Sequence, residues 1–324
     1  MPAPRVTGAG AKGLFGRLAS RPWAYSYVAA ALTWVATVAL NGGAGGGALI
    51  GAALAFSAFA VLAALGQMLV ITLGPGNVDL SIPSTIALSS ALSMLVMNEQ
   101  AGMILAGLLA ATGAGMAVGL FNVLLIRLLR IPPIIATLSA GLVVLSVAIS
   151  FGRGLKIKPP PAFADFAAAR LLGVPALALA AIGMMAVVGV LLDRTVTGRA
   201  VAAIGQNARA AGFAGIPVER VRMAVYVASA GLAGLTGALL AGFSGGNSLD
   251  QGEEYLLLTI AVVVIGGTDV GGGRASVAGV GGAALFMFLL VAMLNTAGAG
   301  PGPRMLLTGL IIIAVIAVAG EAKA

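Results

Sequence analysis

Long apolar runs separated by short polar punctuation set the pattern of this chain. From Pro22 to Val78 no charged residue occurs, a stretch of 57 residues. About 20 apolar residues span a bilayer, so this stretch alone can cross twice. The same rhythm continues to the end and predicts helices near 23–40, 48–72, 80–97, 101–126, 132–150, 174–192, 222–243, 255–267, 275–295 and 304–320. A transmembrane barrel would show short alternating segments instead. The chain therefore reads as an all-α polytopic membrane protein with about ten transmembrane helices. The run at 255–267 is short for a full span. Eight or nine full spans with a re-entrant segment are the other reading.

Composition strengthens this picture. Charged residues make up 9% of the 324 residues and hydrophobic ones 60%. Soluble domains carry about 25% charged residues, and a buried core does not explain so large a deficit. The 48 glycines fit membrane helices, whose small residues let backbones approach closely. Gly115 with Gly119, and Gly231 with Gly234 and Gly237, fall at helical spacing. Packing within one subunit is the expected use, and a subunit interface the alternative.

The charges then set orientation. With the N-terminus inside, twelve Lys and Arg fall in inner segments, and five (Arg153, Lys156, Lys158, Arg170, Arg304) fall outside. This predicts an N-in, C-in protein. It has a basic cytoplasmic tail at 1–22 and one transmembrane domain at 23–320. A cytoplasmic loop lies at 193–221, and a short inner tail at 321–324. The basic 153–170 loop runs against the rule. The tail before Trp23 imitates a signal peptide, but the following run reaches Leu40 without a convincing cleavage site. The same bias accounts for the net charge of +8, so nucleic acid is not expected as a partner.

Two segments interrupt the apolar runs. Gly74–Ser84 places Pro75 and Pro83 around Asn77, Asp79 and Ser81, and Gly266–Gly273 surrounds Asp269 with glycine. Irregular backbone at membrane depth survives only where protein buries it or a cavity hydrates it, and broken helices often mark a transporter's substrate region. Plain surface loops are the alternative. Asn77, Asp79, Ser81 and Asn122 supply the hydroxyl, amide and carboxyl groups expected along a solute path.

Enzyme chemistry finds no footing. The chain has no Cys and no His, which removes thiol nucleophiles, His-based acid–base schemes and the usual metal sites. No GxSxG elbow and no GxxxxGK[ST] phosphate loop occurs. If ATP drives the protein, another chain hydrolyses it, and this one carries no cofactor. Few carboxylates fall near the spans, which suits a neutral polar solute and an energy source outside them.

The segment TVTGRAVAAIGQNARAAGFAGIPVERVRMAVYVASAGLAGLTGALLAG carries a family likeness. It resembles the cytoplasmic loop and following helix of ribose/sugar-type ABC-transporter permeases. Thr197, Gly198, Arg199, Gly205, Asn207, Ala210, Ala211, Gly215, Ile216, Tyr226, Gly231 and Gly237 match. Val78–Ser84 is similar to that family's GIDLSVGS signature, with Asn77-Val78 for Gly-Ile and Pro83 for its second glycine. Leu120–Leu138 and the stretch from Ala261 to Leu285 resemble two further motifs, in the same order. The resemblance implies a bacterial inner-membrane subunit paired with a second permease copy or a paralogue. It implies two ABC ATPase subunits beneath, holding ATP and Mg, and a periplasmic solute-binding protein above. Contacts to the ATPase are expected at Arg199, Gly205, Gln206, Asn207, Arg209, Ala210, Ala211, Gly215 and Ile216, in a loop with a short helix near 205–214. Glu253 and Glu254, in a predicted outer loop, are expected to meet the binding protein. A self-sufficient carrier or channel, a non-transporting scaffold, and an ABC permease for a nucleoside or amino acid are the competing readings.

Overall fold

A computed structural model describes residues 22–321 except Leu155, and leaves several side chains beyond Leu310 undescribed. The tails expected at 1–22 and 321–324 fall outside it, save Pro22 and Glu321. Every predicted apolar run is a helix. The long ones are α1 (Pro22–Leu40), α2 (Gly46–Thr72), α3 (Ile82–Met97), α4 (Ile104–Leu128), α5 (Pro133–Gly152), α7 (Ala176–Arg194), α10 (Val218–Ser244), α12 (Val277–Thr296) and α13 (Pro301–Glu321). The short ones are α6 (Pro161–Ala168), α8 (Val196–Gln206), α9 (Ala208–Phe213) and α11 (Tyr255–Ile265). Among the described residues seven helices are long and apolar enough to cross a membrane, and α3 is a shorter apolar helix.

Proline and glycine place the boundaries. Pro83 and Pro133 sit in the first turns of α3 and α5, where the missing N–H costs nothing. Gly245, at φ 81°, stops α10 in the left-handed region, and Gly246 N donates to Ala241 O at 2.9 Å. Two turns escaped the sequence pattern: helix α6, and a two-residue antiparallel hairpin, β1 (Arg170–Leu171) with β2 (Val174–Pro175).

The core is built on α2, α10 and α12, the most enclosed of the long helices. Helix α10 packs along α4, α3 and α2, and α12 along α1 and α2. Gly115 and Gly119 of α4 face the Ala230 and Tyr226 carbonyls of α10, while Gly234 and Gly237 of α10 face those of Ala111 and Ile86. A side chain at any of the four would collide with backbone, so these stripes serve packing within the subunit.

Contacts also fix each helix's direction. Helix α2 ends where α8 docks, since Gly74 approaches Gly205. We call this the loop end. Trp23, at the start of α1, shares a loop-end cavity of about 620 Å³ with Thr72, Gly198 and Gly273. Helix α11, at 11 residues, rises only about 16 Å and cannot cross alone. The chain before it folds back to compensate. After α10, residues 245–252 descend along α3: Ser90 donates to Asn247 Oδ1 at 3.0 Å and Gln251 Oε1 at 3.1 Å. Gly252 then packs against the Pro83 carbonyl. Pro83 and Met97 are fourteen positions apart on α3, so Gly252 lies about 21 Å from that helix's far end. The short run at 255–267 is therefore the helical second half of a broken segment that runs from the far end of α10 to the loop end.

Candidate functional site

The loop between α7 and α10 is one folded unit. Thr195 Oγ1 accepts from Gly198 N at 3.1 Å and starts α8. Helix α8 buries Gly198, Ala200, Val201, Ile204 and Gly205 and turns Val196, Thr197, Arg199 and Gln206 outward. The sequence suggests one helix near 205–214, but the structure breaks it at Asn207. That residue is extended (φ −161°, ψ 100°), and its Oδ1 accepts from Arg209 N at 3.1 Å and Ala210 N at 3.0 Å, capping α9. Gly215, at φ 83°, closes α9: its N–H reaches Gly212 O at 3.0 Å, and Ile216 N reaches Ala211 O at 3.1 Å. This paired C-cap needs glycine at its left-handed position.

The expected contact residues divide into two sets. Arg199, Gln206, Asn207, Arg209, Ala210 and Gly215 are exposed; Gly205 and Ala211 are buried, and Ile216 is half-buried. Gly205 is the centre of a junction within the chain. A methyl group there would overlap the Thr72 carbonyl and the Gly273 amide, and Gly273 N itself donates to Thr72 O at 2.9 Å. The loop end of α2, the 266–276 turn and α8 thus meet at one backbone contact. The turn is closed by its own bonds, since Asp269 Oδ1 accepts from Gly271 N at 2.9 Å and Asp269 N reaches Arg274 O at 3.0 Å. Gly266–Gly273 is a docked surface turn rather than a broken helix at depth.

One exposed residue had no place among the expected contacts. Phe213 ends α9 and is 94% exposed. It is the sole aromatic side chain between Arg194 and Arg222, and that isolation was its signal in the sequence. At this loop, Asn77, Gln206, Asn207, Arg209 and Arg222 line a cleft of about 360 Å³. Arg222 pairs with Glu219 at 3.2 Å. This loop is basic, and the apolar side chains of Phe213 and Val196 project from it.

The Gly74–Ser84 segment is broken in the expected way, but its polar groups turn inward. Asp79, Ser81 and Asn122 are essentially fully buried. Asp79 Oδ1 accepts from Ser81 Oγ at 2.6 Å, Ser81 N at 3.0 Å and Asn122 Nδ2 at 3.4 Å. Asp79 N donates to Gln67 Oε1 at 3.2 Å, and Leu80 N to Thr137 Oγ1 at 3.0 Å. Tyr226 Oη donates to Asn77 Oδ1 at 3.2 Å. The network ties the break to α2, α4, α5 and α10. Gln67, Thr137 and Tyr226 were not among the expected site residues; each sits inside an apolar helix, with no local cue. Glu253 and Glu254 are exposed but follow Gly252 directly. They sit where the 245–252 arm, descending along α3, turns into α11.

A family described as branched-chain amino acid transport system, permease component, matches residues 49–316, which takes in α2 to most of α13. This chain belongs to that permease family. It is 32% identical to the ribose import permease of Bacillus subtilis over 79% of each chain. It is 30% identical to the autoinducer 2 import system permease of Photorhabdus laumondii over 81% of each. A probable ABC transporter permease of Sinorhizobium fredii is 30% identical over 79% of this chain and 77% of its own. No solved structure matches. The permease is a multi-pass membrane protein, and its family is one of transport components rather than catalytic enzymes.

Proposed function

We propose that this permease is the membrane subunit of an ATP-binding-cassette importer that admits a sugar or a similar neutral polar solute. One observation carries the coupling part of this reading. The α8–α9 unit presents Phe213, Arg199 and Arg209 outward while its inner face is locked to α2 and the 266–276 turn. Force applied to that face reaches the helices through the Gly205 junction. Partner ATPase subunits hold ATP and Mg and hydrolyse the nucleotide. Phe213 enters an apolar pocket of the ATPase, and the two arginines meet acidic groups around it. A second permease copy or paralogue completes the passage, and a solute-binding protein delivers the solute at the far end. Closure of the ATPases moves the α8–α9 unit as a rigid body and switches the passage between its two openings.

The excess of Lys and Arg in the loop-end segments supports ten passes with both termini in the cytoplasm, in the inner membrane of a bacterium. Helix α3 with the break before it, and the 245–252 arm that leads into α11, form the broken elements beside the passage. Asn77 opens toward its loop-end mouth, while Asp79, Ser81 and Asn122 hold the shape of its wall. Glu253 and Glu254, at the turn into α11, belong to the passage more than to the docking rim. Relatives whose names specify ribose and autoinducer 2 support the sugar-like solute.

The test is uptake by the chain reconstituted with its ATPase and binding protein, over a panel of sugars, amino acids and nucleosides. The proposal expects accumulation of one sugar-like solute. Accumulation of only an amino acid or nucleoside would move the solute class, and ATP hydrolysis without any accumulation would favour the scaffold reading.

A further inference from the structure

Asp79 is the one fully buried Asp, Glu, Lys or Arg among the described residues. Its backbone amide meets Gln67, five residues before the end of α2 and so about 7.5 Å inside it. No Lys or Arg pairs with the carboxyl group. The charged or titratable side chains on the surrounding helices are Arg127 on α4 and Glu219, Arg220, Arg222 and Tyr226 on α10. Glu219 and Arg222 bond to each other, and Tyr226 to Asn77. A lone carboxylate at this depth is costly, and such groups shed their charge or pair.

The two carboxyl oxygens are not alike. Oδ1 takes three donors, and Oδ2 takes none. Around the same group, Asn122 Oδ1 and Ser229 Oγ are also buried and without partners. The Ser229 hydroxyl lies within hydrogen-bonding reach of the carboxyl from α10, where it can donate to a carboxylate or accept from a carboxylic acid. One hydroxyl able to accept a proton's hydrogen bond therefore stands beside the carboxyl group. Gln67 Nε2, a further donor, is also buried and unspent. A metal ion on Oδ2 would meet this donor-rich shell, whereas a proton needs no added space and gains an acceptor.

We propose that Asp79 is a proton-binding site, holding a neutral carboxylic acid whose Oδ2–H donates to Ser229. In that state it is a positioning residue: it clamps the 74–81 break onto α2, α4 and α10. Loss of the proton would place an uncompensated charge in the clamp and loosen the break.

Asparagine mimics the neutral acid, with an N–H where the O–H stood. The experiment compares the full chain with Asp79→Asn and Asp79→Ala. Difference infrared spectroscopy of the wild type should show a protonated-carboxyl band that Asp79→Asn removes. Thermal stability of the wild type should fall from mildly acidic to mildly alkaline pH, because a proton held only by the folded state is lost as pH rises. Asp79→Asn should flatten that slope and unfold near the wild-type temperature, while Asp79→Ala unfolds at a clearly lower one. A wild type with only a carboxylate band, or an Asp79→Asn variant as damaged as Asp79→Ala, overturns the proposal. So does stabilisation by sodium or potassium that Asp79→Asn abolishes, which would mark a bound cation. The infrared and thermal readouts need no transport, so they fail separately from the importer reading.

Discussion

Substituting Gly205 by alanine tests the junction most sharply. The added methyl would overlap the Thr72 carbonyl and the Gly273 amide, which are themselves joined by a 2.9 Å hydrogen bond. All three partners are backbone, so no rotamer change relieves the overlap. Overpacking of this kind costs about 1–3 kcal/mol, and losing the Gly273–Thr72 bond adds about 1 kcal/mol. The expected destabilisation is therefore about 2–4 kcal/mol. Gly212, on the exposed side of α9, is the control, since its added methyl would meet only Val218 Cγ2 at 3.9 Å. Alanine there removes a helix-interior glycine and should stabilise by about 0.5–1 kcal/mol. Both variants, purified in one detergent, are compared by thermal and denaturant unfolding. The reasoning fails if Gly205→Ala is as stable as the wild type, or if the two variants shift in the same direction by the same amount.

Three further outcomes follow from named contacts. Phe213→Ala should leave unfolding unchanged but weaken ATPase association by about 2 kcal/mol or more, read by co-purification or titration. Asn207→Ala removes the cap of α9 and should cost about 0.5–2 kcal/mol, seen as faster proteolysis or hydrogen exchange confined to 207–215. Gly115→Leu drives a side chain into the Ala230 carbonyl and should abolish the folded protein, whereas Gly113→Leu, with open space around it, should fold; fluorescence size exclusion separates them.

Much of this architecture was legible in the apolar runs because bilayer thickness leaves so little freedom. Helix α2 begins two residues before the predicted run and ends where expected, at Thr72, and α10 begins four residues early because its first turn carries the loop's charges. The glycine stripes of α4 and α10 were readable as packing because only backbone contact needs them. What could not be read was long-range. Nothing local reveals that residues 245–252 fold back along α3 or that Gly205 meets Gly273. Gln67, Thr137 and Ser229 look like polar interruptions of apolar helices until Asp79 is placed among them. The short cytoplasmic helix was foreseen, but its break at Asn207 depends on a cap that competes with helix continuation. For the contact face, residue matching selected Gly205 and Ala211, which are buried, and passed over Phe213, which is not. A motif match ranks positions by their constraint, and backbone junctions are as constrained as interfaces.

The most direct measurement is solute uptake into proteoliposomes containing this chain with ATPase and binding protein, with and without ATP inside, for wild type and Phe213→Asp. Accumulation is expected only with ATP, and is lost in Phe213→Asp while the permease itself remains folded. Uptake without ATP that Phe213→Asp leaves untouched would contradict it, and would make the chain a carrier in its own right.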